Sequence, residues 1–236
     1  MQEISNTSNT LIINTYEGFY TSDKNIIDEI IHKKYSNDNL MSILRNIAQG
    51  INAQVLNESS HNFEPFGDSS AALIQANTEI ANSGTMHLNE SHITYHTYIE
   101  TRIDNFFVIR LEVHVCSCTK ANVFSSLRYL MNDKNSLFKN SLPEIITLDY
   151  LKRGCDISSS DNDMQLFKHD EFFNFSVNYN KVIDINSFTS TGSYHLHYLI
   201  IKDLLVRKLK NAYEDIESNT IDIYYSFIKE KYCPHS

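Results

Sequence analysis

The residues best equipped for covalent chemistry lie in two segments, HLNESHITYHTYIE (87–100) and LEVHVC (111–116). Ser91 follows Glu90 and precedes His92, and His96 stands on the same segment. A serine hydroxyl is a weak nucleophile at its own pKa. It attacks the carbonyl before it, turning an amide into an ester, only where a strained turn and an acid–base group assist. Removal of the serine α-proton then expels the ester carboxylate and leaves dehydroalanine, which hydrolyses to a pyruvoyl group and ammonia. By residue type alone, each candidate also has a plainer role. A histidine on a strand is more often bonded across the sheet. A cysteine at a strand end, as Cys116 is, is more often inert core. Cys116 and Cys118 form a C-x-C pair with no second pair nearby, which makes a poor zinc site, and no metal is expected.

The elements that must position these residues show in the hydrophobic pattern. SHITYHTYIE alternates, with His92, Thr94, His96 and Tyr98 on one face of a strand and Ile93, Tyr95, Thr97 and Ile99 on the other. FFVIRLEVHVC (106–116) is the strongest strand signal, and residues 11–20, 53–63, 69–76, 144–151 and 173–185 also read as strands. Asp23 caps a helix to about residue 33, with Ile26, Ile27, Ile30 and Ile31 as its buried face. A second helix is predicted from Asn39 to Gly50, with Gly50 ending it, and a third over 120–131. Helical patterns fill 198–229. Residues 77–90 are polar and hold Gly84, which suggests a loop leading up to Ser91, and 156–165 read as another loop. Strands and helices alternate without βαβ spacing. The pattern predicts one α+β domain over 1–236, a mainly antiparallel sheet with helices packed on one face.

A chain of 236 residues can bury a substantial core, and its 42% hydrophobic and 21% charged residues are ordinary for a globular protein. A net charge of −9 argues against binding nucleic acid or anionic lipid. No apolar run approaches the roughly 18 residues a membrane helix needs, and no signal-like apolar region follows the polar first residues. The four cysteines, Cys116, Cys118, Cys155 and Cys233, then read as reduced thiols of a cytoplasmic protein.

The segment around Ser91 resembles the processing site of the bacterial S-adenosylmethionine decarboxylase proenzymes, where a serine in an E-S-H tripeptide becomes the pyruvoyl cofactor. NFEPFGDSS (62–70) is similar to the family's aromatic-x-P-x-G-x-S segment, LEVHVC to its strand ending in a cysteine, and TLDYLKRG (147–154) to a further block. The blocks stand in family order over roughly residues 53–155. The resemblance implies an S-adenosylmethionine decarboxylase-like sandwich cut between Glu90 and Ser91 into a β chain of 1–90 and an α chain of 91–236. It makes Ser91 the pyruvoyl group that forms a Schiff base with substrate, His96 the proton acceptor in processing, and Ser69 its helper. Cys116 becomes the proton donor, Phe63 the ring that stacks on adenine, and Glu100 the carboxylate that holds the ribose hydroxyls. The implied substrate is S-adenosylmethionine, decarboxylated to supply spermidine biosynthesis. The implied assembly is a homo-oligomer of processed αβ units whose active sites can draw residues from two protomers.

Ile99 stands where the family usually has proline, and Ser117 where glycine is common, departures that bear on loop geometry and specificity. His92 belongs to the motif without separate chemistry, and His87 and His114 keep the plainer reading. Two alternatives remain open: pyruvoyl-dependent decarboxylation of arginine or ornithine, and a non-catalytic regulatory paralogue. Phe63 and Glu100 argue against the first. Intact Ser91, His96, Ser69 and Cys116 argue against the second.

Overall fold

Alternating apolar residues place the first strand at the centre of the molecule. In the computed structural model, which describes residues 8–21, 23–62, 80–88, 91–103, 105–117, 122–131, 134–153, 178–188 and 192–233, β1 (Ser8–Tyr20) buries Leu11 and Ile13 completely. It pairs antiparallel with β5 (Phe106–Ser117) on one side and β6 (Ile145–Arg153) on the other. β2 (Val55–Asn62), β3 (Ile80–Leu88), β4 (Ser91–Ile103), β7 (Tyr179–Phe188) and β8 (Gly192–Ile200) complete an eight-stranded sheet of order β2-β3-β4-β5-β1-β6-β8-β7. Every pairing is antiparallel.

The register sorts the side chains of the central strands into two faces. Leu11, Ile13, Ile93, Tyr95, Val113, Val115, Leu148 and Tyr150 share one and are buried. Helices α1 (Lys24–Lys33), α2 (Asn37–Gly50) and α3 (Ser126–Met131) cover that face, where the Tyr95 hydroxyl donates to Asn37 Oδ1 and Phe124 packs on Tyr150. The α+β sandwich expectation is borne out. One helix also reaches the other face. From α5 (Ser218–Tyr232), which follows α4 (Lys202–Ala212), Tyr224 stacks on Phe106 at 4.0 Å and Tyr232 lies 4.4 Å from Tyr16.

Several boundaries differ from the sequence reading. Asp23 caps α1 by accepting from the Asn25 N–H, but Ile26 is 43% exposed, so the buried stripe is Ile27 and Ile31 with Ile30 half-buried. α2 begins at Asn37 because Ser36 accepts from the Asn39 N–H. It ends at Gly50 as expected, and the turn beyond it is made by Asn52 at φ 55°. Gly50 also serves packing, since a Cβ there would lie 2.4 Å from the Tyr129 ring. The third helix opens as a 3₁₀ turn, Val123–Ser125, capped by Asn122. Residues 80–88, read as loop, form β3: pairing to β2 on one side and β4 on the other overrides a weak local propensity. Residues 198–200 belong to β8 rather than to a helix. The strand expected at 69–76 and the loop at 156–165 lie outside the described residues.

Beyond Tyr16, β1 outruns β6 and its free edge is finished by side chains. Gly18 N–H donates to Glu144 Oε2 at 2.8 Å and Tyr20 N–H to the Tyr213 hydroxyl at 3.2 Å. Glu144 is thereby buried, and Lys208 donates to its Oε1 at 2.8 Å. Beside it Glu17, 1% exposed, accepts from Lys34 on both oxygens at 2.7 Å, from Tyr35 at 2.6 Å and from Ser141 at 2.9 Å. Burial alone would raise the Glu17 pKa, but Lys34 and Lys208 outweigh it and hold it low. For Glu144 burial prevails and its pKa rises.

Gly18 also marks where α5 is seated. A Cβ there would lie 1.8 Å from the Tyr224 hydroxyl oxygen, which is buried without a hydrogen-bond partner. Gly18→Ala should therefore cost about 1–3 kcal/mol of unfolding free energy in urea titration. Tyr224→Phe, which removes the unpaired hydroxyl, should be neutral or stabilising and should recover part of the Gly18→Ala loss. A Gly18→Ala protein as stable as the parent would place α5 elsewhere.

Candidate active site

The face of the sheet away from α1–α3 carries a group of titratable side chains. Across β4, β5, β1, β6 and β8 the register aligns His96, Glu112, Asn14, Thr147 and His197 in one row, and Thr94, His114, Ile12, Asp149 and His195 in the next. Strand periodicity produces this: every second residue of an apolar strand is polar, and antiparallel pairing brings those positions together.

One group of candidates gathers at the start of β4. Ser91 is its first residue, opposite Ser117, and His92 lies directly across from Cys116. Cys116 is a half-buried free thiol that accepts from the Thr10 hydroxyl at 3.5 Å. Directly opposed residues have Cα atoms roughly 4.5–5.5 Å apart, so the serine and the thiol are near neighbours by backbone. β3 and β4 are antiparallel neighbours, with His87 opposite His92 and residues 89 and 90 between the strands. A cut between residues 90 and 91 therefore falls where β3 hands over to β4, and leaves the ladders to either side intact.

A second group lies further along β4. His96, Glu100, Arg110, Glu112 and His114 form a connected set. His114 Nε2 is 3.0 Å from Glu112 Oε1, and Arg110 Nη1 donates to Glu112 Oε2 at 3.1 Å. Arg110 Nε is 2.6 Å from Glu100 Oε1, and the guanidinium lies 4.2 Å over the Tyr98 ring. A β-bulge between Ile99 and Thr101 takes Glu100 out of the ladder. Bulges re-aim side chains, and this one lets Glu100 reach Arg110.

Within one chain these two groups stay apart. β4 is an unbroken strand from Ser91 past His96, and five residues of strand span about 17 Å. His96 cannot take a proton from Ser91 of its own chain in this arrangement. Phe63, Ser69, Glu90 and Cys118 lie outside the described residues. Cys233 is buried core, its thiol pushed up to about 11 by burial. The sequence reading did not single out Arg110 or Glu112; their position on the same face as His96, two and four residues after Val108, was the available signal. A cleft of about 580 Å³ bordered by Gly18, Phe19, Leu204, Lys208 and Tyr213 opens elsewhere. Gly18 is opposite Val108, eight residues or about 26 Å along β5 from Cys116, so that cleft is not part of the Ser91–Cys116 group. Among the described residues no cluster of three or more His, Cys, Asp or Glu is placed to hold a metal ion, and no helix is long and apolar enough to cross a membrane.

Electrostatics suit His96 to act as a base. Burial lowers its pKa below the ordinary imidazole value, and the Glu112 carboxylate opposes that shift only in part. The ring is neutral at pH 7 and free to accept a proton. Glu112 itself is held low, first by the hydrogen bond from His114. Because its carboxylate favours the imidazolium form, Glu112→Gln should move the His96 NMR titration midpoint still lower than in the parent protein. A midpoint that rises would show that Glu112 does not act on His96.

Comparison with known proteins adds the family context. The sequence profile described as S-adenosylmethionine decarboxylase matches residues 27–133. The chain is similar to the S-adenosylmethionine decarboxylase proenzyme of Clostridium beijerinckii, 31% identical over 172 residues, covering 64% of this chain and 61% of that protein. It is similar to the one from Clostridium perfringens at 29% over 172 residues with the same coverage. For the protein of that name from Stenotrophomonas maltophilia the figures are 29% over 168 residues, 65% of this chain and 61% of the relative. The chain thus spans about three-fifths of the length of the curated relatives it matches. The resemblance read from the sequence is borne out.

Proposed function

We propose that this chain, similar to the S-adenosylmethionine decarboxylases, is a self-processing, pyruvoyl-dependent decarboxylase of S-adenosylmethionine, whose product feeds spermidine synthesis. The observation that carries the reading is the serine at the β3–β4 handover with a free thiol one step across the ladder. The Ser91 hydroxyl attacks the Glu90 carbonyl, with Ser69 assisting, and the amide becomes an ester. A neutral imidazole takes the Ser91 α-proton, the Glu90 carboxylate leaves, and water displaces ammonia from the resulting dehydroalanine.

The described residues suit the group this would create: Ser91 begins a strand, so its new terminus is held by the ladder to β5. A pyruvoyl group supplies an electron sink for loss of the α-carboxylate from a bound amine as CO2. Cys116 then returns a proton to the substrate Cα. Phe63 stacks on the adenine and Glu100 accepts from the ribose diol. A thiol that must stay reduced fits a cytoplasmic setting.

The separation of Ser91 from His96 along β4 supports a homo-oligomer in which one protomer's His96 serves its partner's Ser91. Ser91→Ala alone should remain a single uncut chain without decarboxylase activity. His96→Ala alone should stall at the ester and be cut by hydroxylamine. Co-expressed, the two variants should form mixed oligomers in which the His96→Ala chain is cut normally and the Ser91→Ala chain is not, read by intact mass. An uncut mixture would refute service between protomers, and normal cleavage of Ser91→Ala would refute the site itself.

The substrate is tested by release of CO2 from carboxyl-labelled S-adenosylmethionine, arginine and ornithine. Phe63→Ala with Glu100→Gln should lower kcat/KM for S-adenosylmethionine by roughly two orders of magnitude, from about 0.5–1.5 kcal/mol of stacking and about 1.5–3 kcal/mol for a hydrogen bond to a charged group. Processing should continue. A parent protein that prefers arginine or ornithine would replace the substrate while leaving the pyruvoyl chemistry standing.

A further inference from the structure

Arg110 makes contacts to side chains of three strands on the polar face. It joins carboxylates from two strands, Glu100 of β4 at 2.6 Å and Glu112 of β5 at 3.1 Å. Its Nη1 also reaches Asn14 Oδ1 at 3.5 Å, its charge acts on the Tyr16 side chain, which stands opposite it on β1, and its plane lies over Tyr98. Glu112 is fixed from its other side by His114. Arg110 is therefore located by four strand residues before it touches Glu100. A guanidinium suits this work because its planar fork can engage two carboxylates and stack on a ring at once, whereas an ammonium is a point charge.

The contact with Glu100 has a particular form. Arg110 Nε is close to Glu100 Oε1, yet its N–H finds no aligned hydrogen-bond acceptor. The two groups make a charge contact through one carboxylate oxygen, Oε1. A carboxylate has two oxygens and about four lone-pair sites, so a glutamate held this way keeps acceptor capacity for hydroxyl donors. It also gives up little further rotamer freedom when a ligand arrives.

We propose that Arg110 is a positioning residue that presents Glu100 to the vicinal diol of the substrate, with Glu112 and His114 anchoring Arg110 from behind. The proposal rests on the reading of Glu100 as the diol acceptor. The bulge beside Ile99 brings the carboxylate within reach, and the guanidinium selects its orientation.

The test compares S-adenosylmethionine with its 2′-deoxyribose analogue, using processed parent protein, Arg110→Lys, and the charge-balanced pair Arg110→Gln with Glu112→Gln. The parent should prefer the diol substrate by roughly tenfold or more in kcat/KM, as expected for a hydrogen bond to a charged group. In both variants that preference should shrink to about threefold or less, with the larger share of the loss in KM. A purely structural arginine would weaken both substrates alike and leave the preference intact, which would overturn the proposal. Loss of the folded sheet in both variants, read by circular dichroism, would assign Arg110 to the scaffold and overturn it equally. A parent protein indifferent to the missing hydroxyl would instead remove the reading of Glu100, and the proposal with it.

Discussion

The fold depends on β1 lying between β5 and β6. It comes first in the chain, yet it joins the β2-β3-β4-β5 half of the sheet to the β6-β8-β7 half. β1 is also longer than β6, 13 residues against 9, and the excess has consequences. The unpaired N–H groups of Gly18 and Tyr20 need acceptors, and Glu144 and Tyr213 provide them. Placing a carboxylate there buries it, which in turn calls for Lys208. Glu17, on the same stretch of β1, is matched by Lys34. The burial of Glu144 and its pairing with Lys208 follow from a mismatch of strand lengths, since a buried carboxylate is stable only when paired and hydrogen-bonded.

On the polar face the same pairing does chemical work. Cross-strand register places Glu112 beside His96 and Arg110 beside Tyr98, and the bulge turns Glu100 toward the arginine. Partial burial favours the neutral form of His96, while the hydrogen bond from His114 and the charge of Arg110 hold the Glu112 pKa low. A neutral base and an anchored carboxylate thus sit side by side on one sheet surface. Their different protonation states come from environment rather than from residue type.

Strands with strong alternation were legible in the sequence, and so were the caps at Asp23 and the faces of the strand after Ser91. β3 was not, because NSGT has little strand propensity and is held by neighbours on both sides. β8 alternates Tyr194, Leu196 and Tyr198 with His195 and His197, a period-two signal masked by the helical pattern that follows. Ser91, His96, Glu100 and Cys116 could be picked out by motif, but not that Ser91 and His96 lie far apart on one strand. Motif spacing counts residues, and an extended strand turns each residue into about 3.3 Å. Arg110 escaped notice because a lone arginine in a strand has no signature until its partners are known. Ile99 has a physical account as well: it is buried, 8% exposed, next to the bulge, so packing can fix there a bend that proline would fix covalently.

The proposed cut changes what unfolding means for this protein. It would assign β1, β2 and β3 to one product and β4 to β8 to the other. In the intact chain, β1 finds β5 and β6 through an intramolecular search whose entropic cost is set by loop length. In the cut protein the two fragments are tied only by ladders and core. Once melted, they become separate solutes whose reunion depends on their concentration. Maturation would then work as a ratchet: the precursor can refold alone, whereas the mature pair, once parted in dilute solution, has lost the tether that assembled it.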